Sequence, residues 1–217
     1  MNLFLNYAWT DPFFFGAWVL IIAFSICVHE YAHAALALRL GDDTAAAEGH
    51  LTLNPFKQMG LTSLIALLAV GIAWGAVPVD PRLLRARGRA AAVAAAGPAA
   101  NLLLALISAL LWALLVRFDL LDGEAGHPAL FLKYAALANG TLFVFNLLPI
   151  PMLDGWSVFG MFFPRLMEIS AANLQTITWI ALVALIATPL GDFVWSWGGQ
   201  LAGLLMRLAA ALLGHSG

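Results

Sequence analysis

The sequence predicts an all-α polytopic membrane protein of about five transmembrane helices, with one re-entrant segment and a short interfacial β-ribbon. Three observations predict it. Of 217 residues, 63% are hydrophobic and 10% are charged, where soluble domains carry about 25% charged residues. Mean hydropathy is +0.91. Apolar runs recur at lengths near the ~20 residues that carry a helix across a bilayer. A single transmembrane domain is expected over 1–217, because no run is both polar and long enough for a soluble unit.

The first run, 13–40, crosses comfortably. The first twelve residues hold no Lys or Arg, so no basic n-region marks a cleavable signal and this run is expected to be retained. "GDDTAAAEGHLTLNP" (41–55) follows; "HLTL" alternates like a strand and "NP" signals a turn, which predicts the ribbon over 45–54. Run 61–79 contains Gly71 and Gly75 and ends near Pro78, all weak points in a straight helix. Runs 90–116 and 129–150 are crossings, joined by an acidic loop at 117–128. A shorter run, 174–190, turns through "TPLGD" (188–192) into 193–213, giving a C-terminal helical hairpin over 174–213.

Charge orients these elements. Arg82, Arg85, Arg87 and Arg89 fall within eight positions, and membrane proteins keep such clusters on the cytoplasmic side. One short run with no basic domain gives no reason to expect nucleic acid. With the arginines inside, 61–79 must leave and return on one face. Nineteen residues cannot cross twice, so it is expected to re-enter.

The chemistry lies in "CVHEYAHAAL" (27–36). His29 and His33 are four apart and stack on one helical face about 6 Å along the axis. Two imidazoles so placed can meet one metal, while Glu30 points about 100° around the helix, where a carboxylate can take a proton from water at the metal. Glu30 is the sole charged residue between Asp11 and Arg39, and an ionised acid at the bilayer centre costs roughly 2.5–3.5 kcal/mol. Something must compensate for it, and a metal site does so better than a structural polar cluster. Catalytic zinc takes three protein ligands and leaves one position open, so a third is needed. His50, His127 and His215 read as surface histidines. Asp154 stands out in "NLLPIPMLDGWSVF" (146–159), where two prolines break an apolar helix. Capping the next helix is its alternative role. Cys27 is the only cysteine, which excludes an internal disulfide and a cysteine-based zinc site.

"HEYAH" (29–33), "GPAAN" (97–101) and "NLLPIPMLDG" (146–155), in this order, resemble the site-2 protease family of intramembrane zinc metalloproteases. "GDDTAAAEGHLTLNP" and "PVDPRLLRARGR" (78–89) are similar to a bacterial subgroup. The likeness covers 13–163, the expected catalytic core. It implies one Zn2+ per chain held by His29, His33 and Asp154, with Glu30 as catalytic base. It implies that Asn146 helps hold the substrate or its carbonyl, and that Gly97, Pro98 and Asn101 line the packing face of their helix. The subgroup usually carries lysine–histidine–x–aspartate after "LTLNP"; here "FKQMG" (56–60) supplies neither histidine nor acid.

The expected activity is hydrolysis of peptide bonds in or near transmembrane segments of membrane proteins, and the expected location is a bacterial plasma membrane. Five crossings with the N-terminus outside put the active site toward the cytoplasmic side. The expected partners are a transmembrane protein substrate and the lipid bilayer, with homo-oligomerisation left open. The alternative is a metal-binding membrane protein or ion transporter without protease activity, which has no need of a base beside two helical ligands.

Overall fold

The computed structural model describes residues 3–85 and 88–214, so Arg87 and His215 lie outside the described residues. The first long helix, α1 (Pro12–Arg39), starts where Asp11 accepts a hydrogen bond from the Phe14 amide at 2.9 Å, with Pro12 in the first turn. Its 28 residues run about 42 Å. At its far end the Arg89 guanidinium donates to the Leu40 carbonyl at 3.1 Å, a cation at a helix C-terminus.

An excursion over residues 41–80 follows, and it begins and ends at the same end of α1. Its base is closed by Asp42, fully buried, whose carboxylate accepts from the Thr44 amide at 3.0 Å and the Asp80 amide at 2.7 Å. At its top, α2 (Gly60–Val70) ends at Gly71, whose carbonyl accepts from Trp18 Nε1 at 3.0 Å. The chain then returns without helical or strand pairing over residues 72–80. Two contacts hold this return. The Ser63 hydroxyl donates to the Trp74 carbonyl and accepts from its amide, and the Ala76 amide donates to the Gln58 carbonyl at 3.1 Å. The amides of Ala73, Gly75 and Val77 meet no acceptor among the described residues.

Helix α3 (Arg89–Arg117) is the hub; α1, α4 (His127–Asn146), α5 (Asp154–Phe162) and α7 (Leu190–Leu212) all pack on it. The reason is its small residues: Ala105, Ala109 and Ala113, four apart, are buried and let neighbouring backbones come close. Trp18, Ile21, Ile22 and Ile26 of α1 form the main apolar cluster with Ala135 and Ala138 of α4. Helix α6 (Ala171–Ala187) reaches the loop before α5, where Thr178 Oγ1 donates to the Pro151 carbonyl at 3.3 Å.

The protein is all-helical among its described residues, and three helices, α1, α3 and α4, are long and apolar enough to cross a membrane. The expected count of about five needs α6 and α7 in addition. Helix α6 has 17 residues, and α7 carries Asp192, Gln200 and Arg207.

The β-ribbon expected over 45–54 is not formed. Thr44–Ala47 is a helical turn, as its alanines favour. The strand-like alternation survives only as burial, with His50 inside and Leu51 and Leu53 out. Gln58 Nε2 donates to the His50 carbonyl at 2.8 Å and the Thr52 carbonyl at 2.6 Å, so a side chain takes the acceptors that a partner strand would use.

Candidate metal centre

His29 and His33, one turn apart on α1, bring their Nε2 atoms to 3.0 Å. The Asp154 carboxylate arrives from the first turn of α5. Its Oδ2 lies 3.0 Å from His29 Nε2, its Oδ1 3.3 Å from His33 Nε2. Asp154 reaches this position through a turn at 147–153, in which Met152 adopts a left-handed φ of 75°, a conformation that costs a non-glycine residue about 1 kcal/mol or more.

The other ring nitrogens decide what these atoms offer. His33 Nδ1 lies 2.7 Å from the Val93 carbonyl, which can only accept, so in the neutral ring Nδ1 carries the proton and Nε2 is bare. His29 Nδ1 donates to Asn101 Oδ1 at 2.6 Å, which leaves its Nε2 bare as well. Two lone pairs and a carboxylate thus face one another in a buried site, an arrangement that repels itself unless a cation lies between. Asp154 Oδ2 is a buried oxygen without a hydrogen bond, although it stands 3.0 Å from an imidazole nitrogen. The three donors lie within 4.8 Å of one another, compatible with the edge of about 3.3 Å of a tetrahedron built on zinc bonds near 2.0–2.1 Å.

Two glycines shape the site. A Cβ built on Gly97 of α3 would fall on Nε2 of both His29 and His33 and 2.6 Å from His29 Cε1. A Cβ on Gly75, in the returning chain, would fall on Glu30 Oε1 and 2.7 Å from Glu30 Cδ. Glu30 itself is buried beside the pair of histidines.

The chain is 34% identical over 180 residues to YwhC of Bacillus subtilis, which is named as a candidate zinc metalloprotease; the match covers 81% of this chain and 82% of the relative. The chain belongs to peptidase family M50. The model of that family matches residues 17–123. Rip2 of Mycobacterium tuberculosis, also named as a candidate zinc metalloprotease, is 35% identical over 210 residues, 90% of this chain and 79% of the relative. No solved structure matches. This M50 peptidase is an intramembrane zinc metalloprotease of the site-2 protease family, and His29, His33 and Asp154 form a group that could hold its metal.

In this M50 peptidase Gly97, Pro98 and Asn101 do more than pack. Gly97 makes room for the imidazoles and Asn101 is bonded to one of them, while buried Pro98 removes an amide from the helix interior next to both. Asn146 is half-buried and donates Nδ2 back to the Leu142 carbonyl at 3.0 Å, on its own helix. His127 is exposed, as expected, with its ring edge-on to Phe13. His50 corrects the reading as a surface histidine: it is buried, and Nδ1 lies 3.1 Å from Gln58 Oε1. Gln58, in the "FKQMG" departure, is thereby a buried hub that ties residues 50–52 to the returning chain.

Sequence reasoning missed Gly75, Gln58 and Asn139. Asn139 was visible as the one amide inside the apolar run 129–145, though nothing local gave its partner. Gly75→Ala tests the first. Its added methyl displaces the Glu30 carboxylate, so zinc content should stay at one per chain while turnover falls roughly 100-fold, the size of a ~1 Å misplacement. Metal analysis beside a cleavage assay reads both.

Proposed function

We propose that His29, His33 and Asp154 hold the zinc ion and that Glu30 is the base that activates water against a peptide bond in a membrane-protein substrate. One observation carries this reading: two bare ring nitrogens and a carboxylate converge within 4.8 Å, one residue from a buried glutamate. Bound there, zinc supplies Lewis acidity, polarising a peptide carbonyl and making water easier to deprotonate. Glu30 accepts the proton from water at a carboxylate oxygen and delivers it to the leaving nitrogen. The close approach of Gly75 keeps that carboxylate aimed, and Asn101 and Val93 hold the rings in the tautomer that leaves Nε2 bare. Asn146 Oδ1, whose amide nitrogen is engaged by Leu142, is the acceptor left to face substrate.

A helical substrate must open before its carbonyls can be attacked. The returning chain at 72–77 supports an opened strand: its Ala73, Gly75 and Val77 amides lack acceptors among the described residues and its middle lies on Glu30.

The excursion at 41–80 is a re-entrant element, since Asp42 ties both ends together at one end of α1. Arg82, Arg85 and Arg89 lie at that same end, and His29 is ten residues from it, about 15 Å. With the arginines cytoplasmic, the metal group sits toward the cytoplasmic side, α1 runs inward, α3 outward and α4 inward. The α6–α7 hairpin adds two crossings, giving five in a bacterial plasma membrane.

Zinc analysis of the purified protein tests the assignment. Wild type should hold one zinc, and His29→Ala, His33→Ala and Asp154→Ala should each lose it, with helical content by circular dichroism unchanged. Full zinc in Asp154→Ala would remove the third ligand from this reading.

A further inference from the structure

From His29 on α1 through Asn101 on α3 to Asn139 and the Ala135 carbonyl on α4 runs a chain of three buried hydrogen bonds, whose far end no catalytic role absorbs. Through it, we propose, Asn139 acts as a positioning residue for metal binding, dictating by way of Asn101 which nitrogen of His29 is left bare. The inference rests on His29 being a zinc ligand.

The direction of the chain is forced from its far end. Asn139 Nδ2 lies 2.9 Å from the Ala135 carbonyl. A carbonyl only accepts, so the amide nitrogen must face it and Asn139 Oδ1 must face the other way. Across the helix interface Oδ1 meets Asn101 at 3.0 Å, and an acceptor there requires the Asn101 nitrogen. Asn101 Oδ1 is then the atom turned to His29 Nδ1, 2.6 Å away, and an oxygen there requires the proton on Nδ1. Every orientation follows from one backbone carbonyl on α4. Asn101 is fully buried and Asn139 is 2% exposed, so both amides are withdrawn from the surface. Interhelical adhesion alone needs no polarity, and a pair of amides would hold α3 to α4 equally well in either sense.

Without Asn139 the chain loses its direction. In Asn139→Ala the Asn101 nitrogen has no acceptor, and a half-turn of the amide presents that nitrogen to His29 Nδ1. The ring then accepts at Nδ1 and carries its proton on Nε2. That proton points at the bare Nε2 of His33, 3.0 Å away, and forms a hydrogen bond. The two histidines thus satisfy each other and the metal-free state is stabilised against binding. His33 needs no such chain, because its Nδ1 is fixed directly by the Val93 carbonyl.

The test is zinc affinity, measured by chelator competition on the full-length protein in detergent. Asn139→Ala should bind roughly tenfold more weakly, at the low end of the 10–100-fold seen for outer partners of metal ligands. Asn101→Ala should lose at least as much, and the double variant should match Asn101→Ala, since one residue acts through the other. Asn139→Ser should recover most of the affinity, because its hydroxyl can accept from Asn101 while donating four residues back, as Ser108 does to the Leu104 carbonyl at 2.8 Å. Wild-type affinity in Asn139→Ala, or additive losses in the double variant, overturns the proposal. A second measurement depends on no variant: nitrogen NMR of the zinc-free wild type should find His29 protonated on Nδ1, and Nε2 protonation would equally refute it. His29→Ala separates the two levels. If it keeps zinc, the ligand assignment has failed; if it loses zinc while Asn139→Ala binds normally, only the present inference has failed.

Discussion

Glu30→Gln should retain one zinc per chain and lose peptide-bond cleavage by 10²–10⁴-fold, the contribution of a positioned general base. The substitution keeps the shape of the side chain and its fit against Gly75. It removes only the ability to take a proton. The paired readout separates the established class from a metal carrier, which would keep both zinc and its own function. It also separates Glu30 from the histidines, whose loss should take the metal with it. A Glu30→Gln protein that cleaves at more than a tenth of the wild-type rate would move the base elsewhere.

Gly97→Ala should abolish zinc binding, although it adds a single methyl group to a helix. Alanine is favoured over glycine inside helices by about 1 kcal/mol, so the helix itself should not suffer. The new Cβ would clash with both ligand nitrogens, and α3 is held in place by α1, α4, α5 and α7, which all pack on it. The expected loss of affinity exceeds 100-fold, beyond the range of outer-partner changes. Gly16→Ala on α1 is the matched control, since a Cβ there meets nothing within 4 Å; it should leave zinc and activity unchanged. Normal zinc content in Gly97→Ala would mean that the imidazoles turn away from α3 when metal binds.

What could be read from sequence was what depends on spacing within one element. His29, Glu30 and His33 form a geometric unit on any helix, and Asp154 was exposed as a candidate by the two prolines that end α4. Small residues in α3 foretold close packing, and the arginine cluster is what led to the expectation that 61–79 turns back. Pairing across long separations could not be read. The strand-like "HLTL" was a correct signal of alternating burial, but whether its carbonyls meet a strand or Gln58 depends on a residue eight positions from His50. Gly75 and Glu30 are 45 residues apart, and Asn101 and Asn139 are 38 apart. Each looks unremarkable locally, and its role exists only after α3 docks between its neighbours.

Ala73, Gly75 and Val77 carry a final consequence. Hydrocarbon does not tolerate bare peptide groups, which cost several kcal/mol each when left dry. In a membrane the descending stretch beside Glu30 would therefore have to be wetted before substrate arrives. On the proposed topology that seam would deliver the hydrolytic reagent to the carboxylate from the cytosolic side, and an incoming substrate strand would seal it by replacing solvent with its own backbone. Supply of water and loading of substrate would then share one doorway.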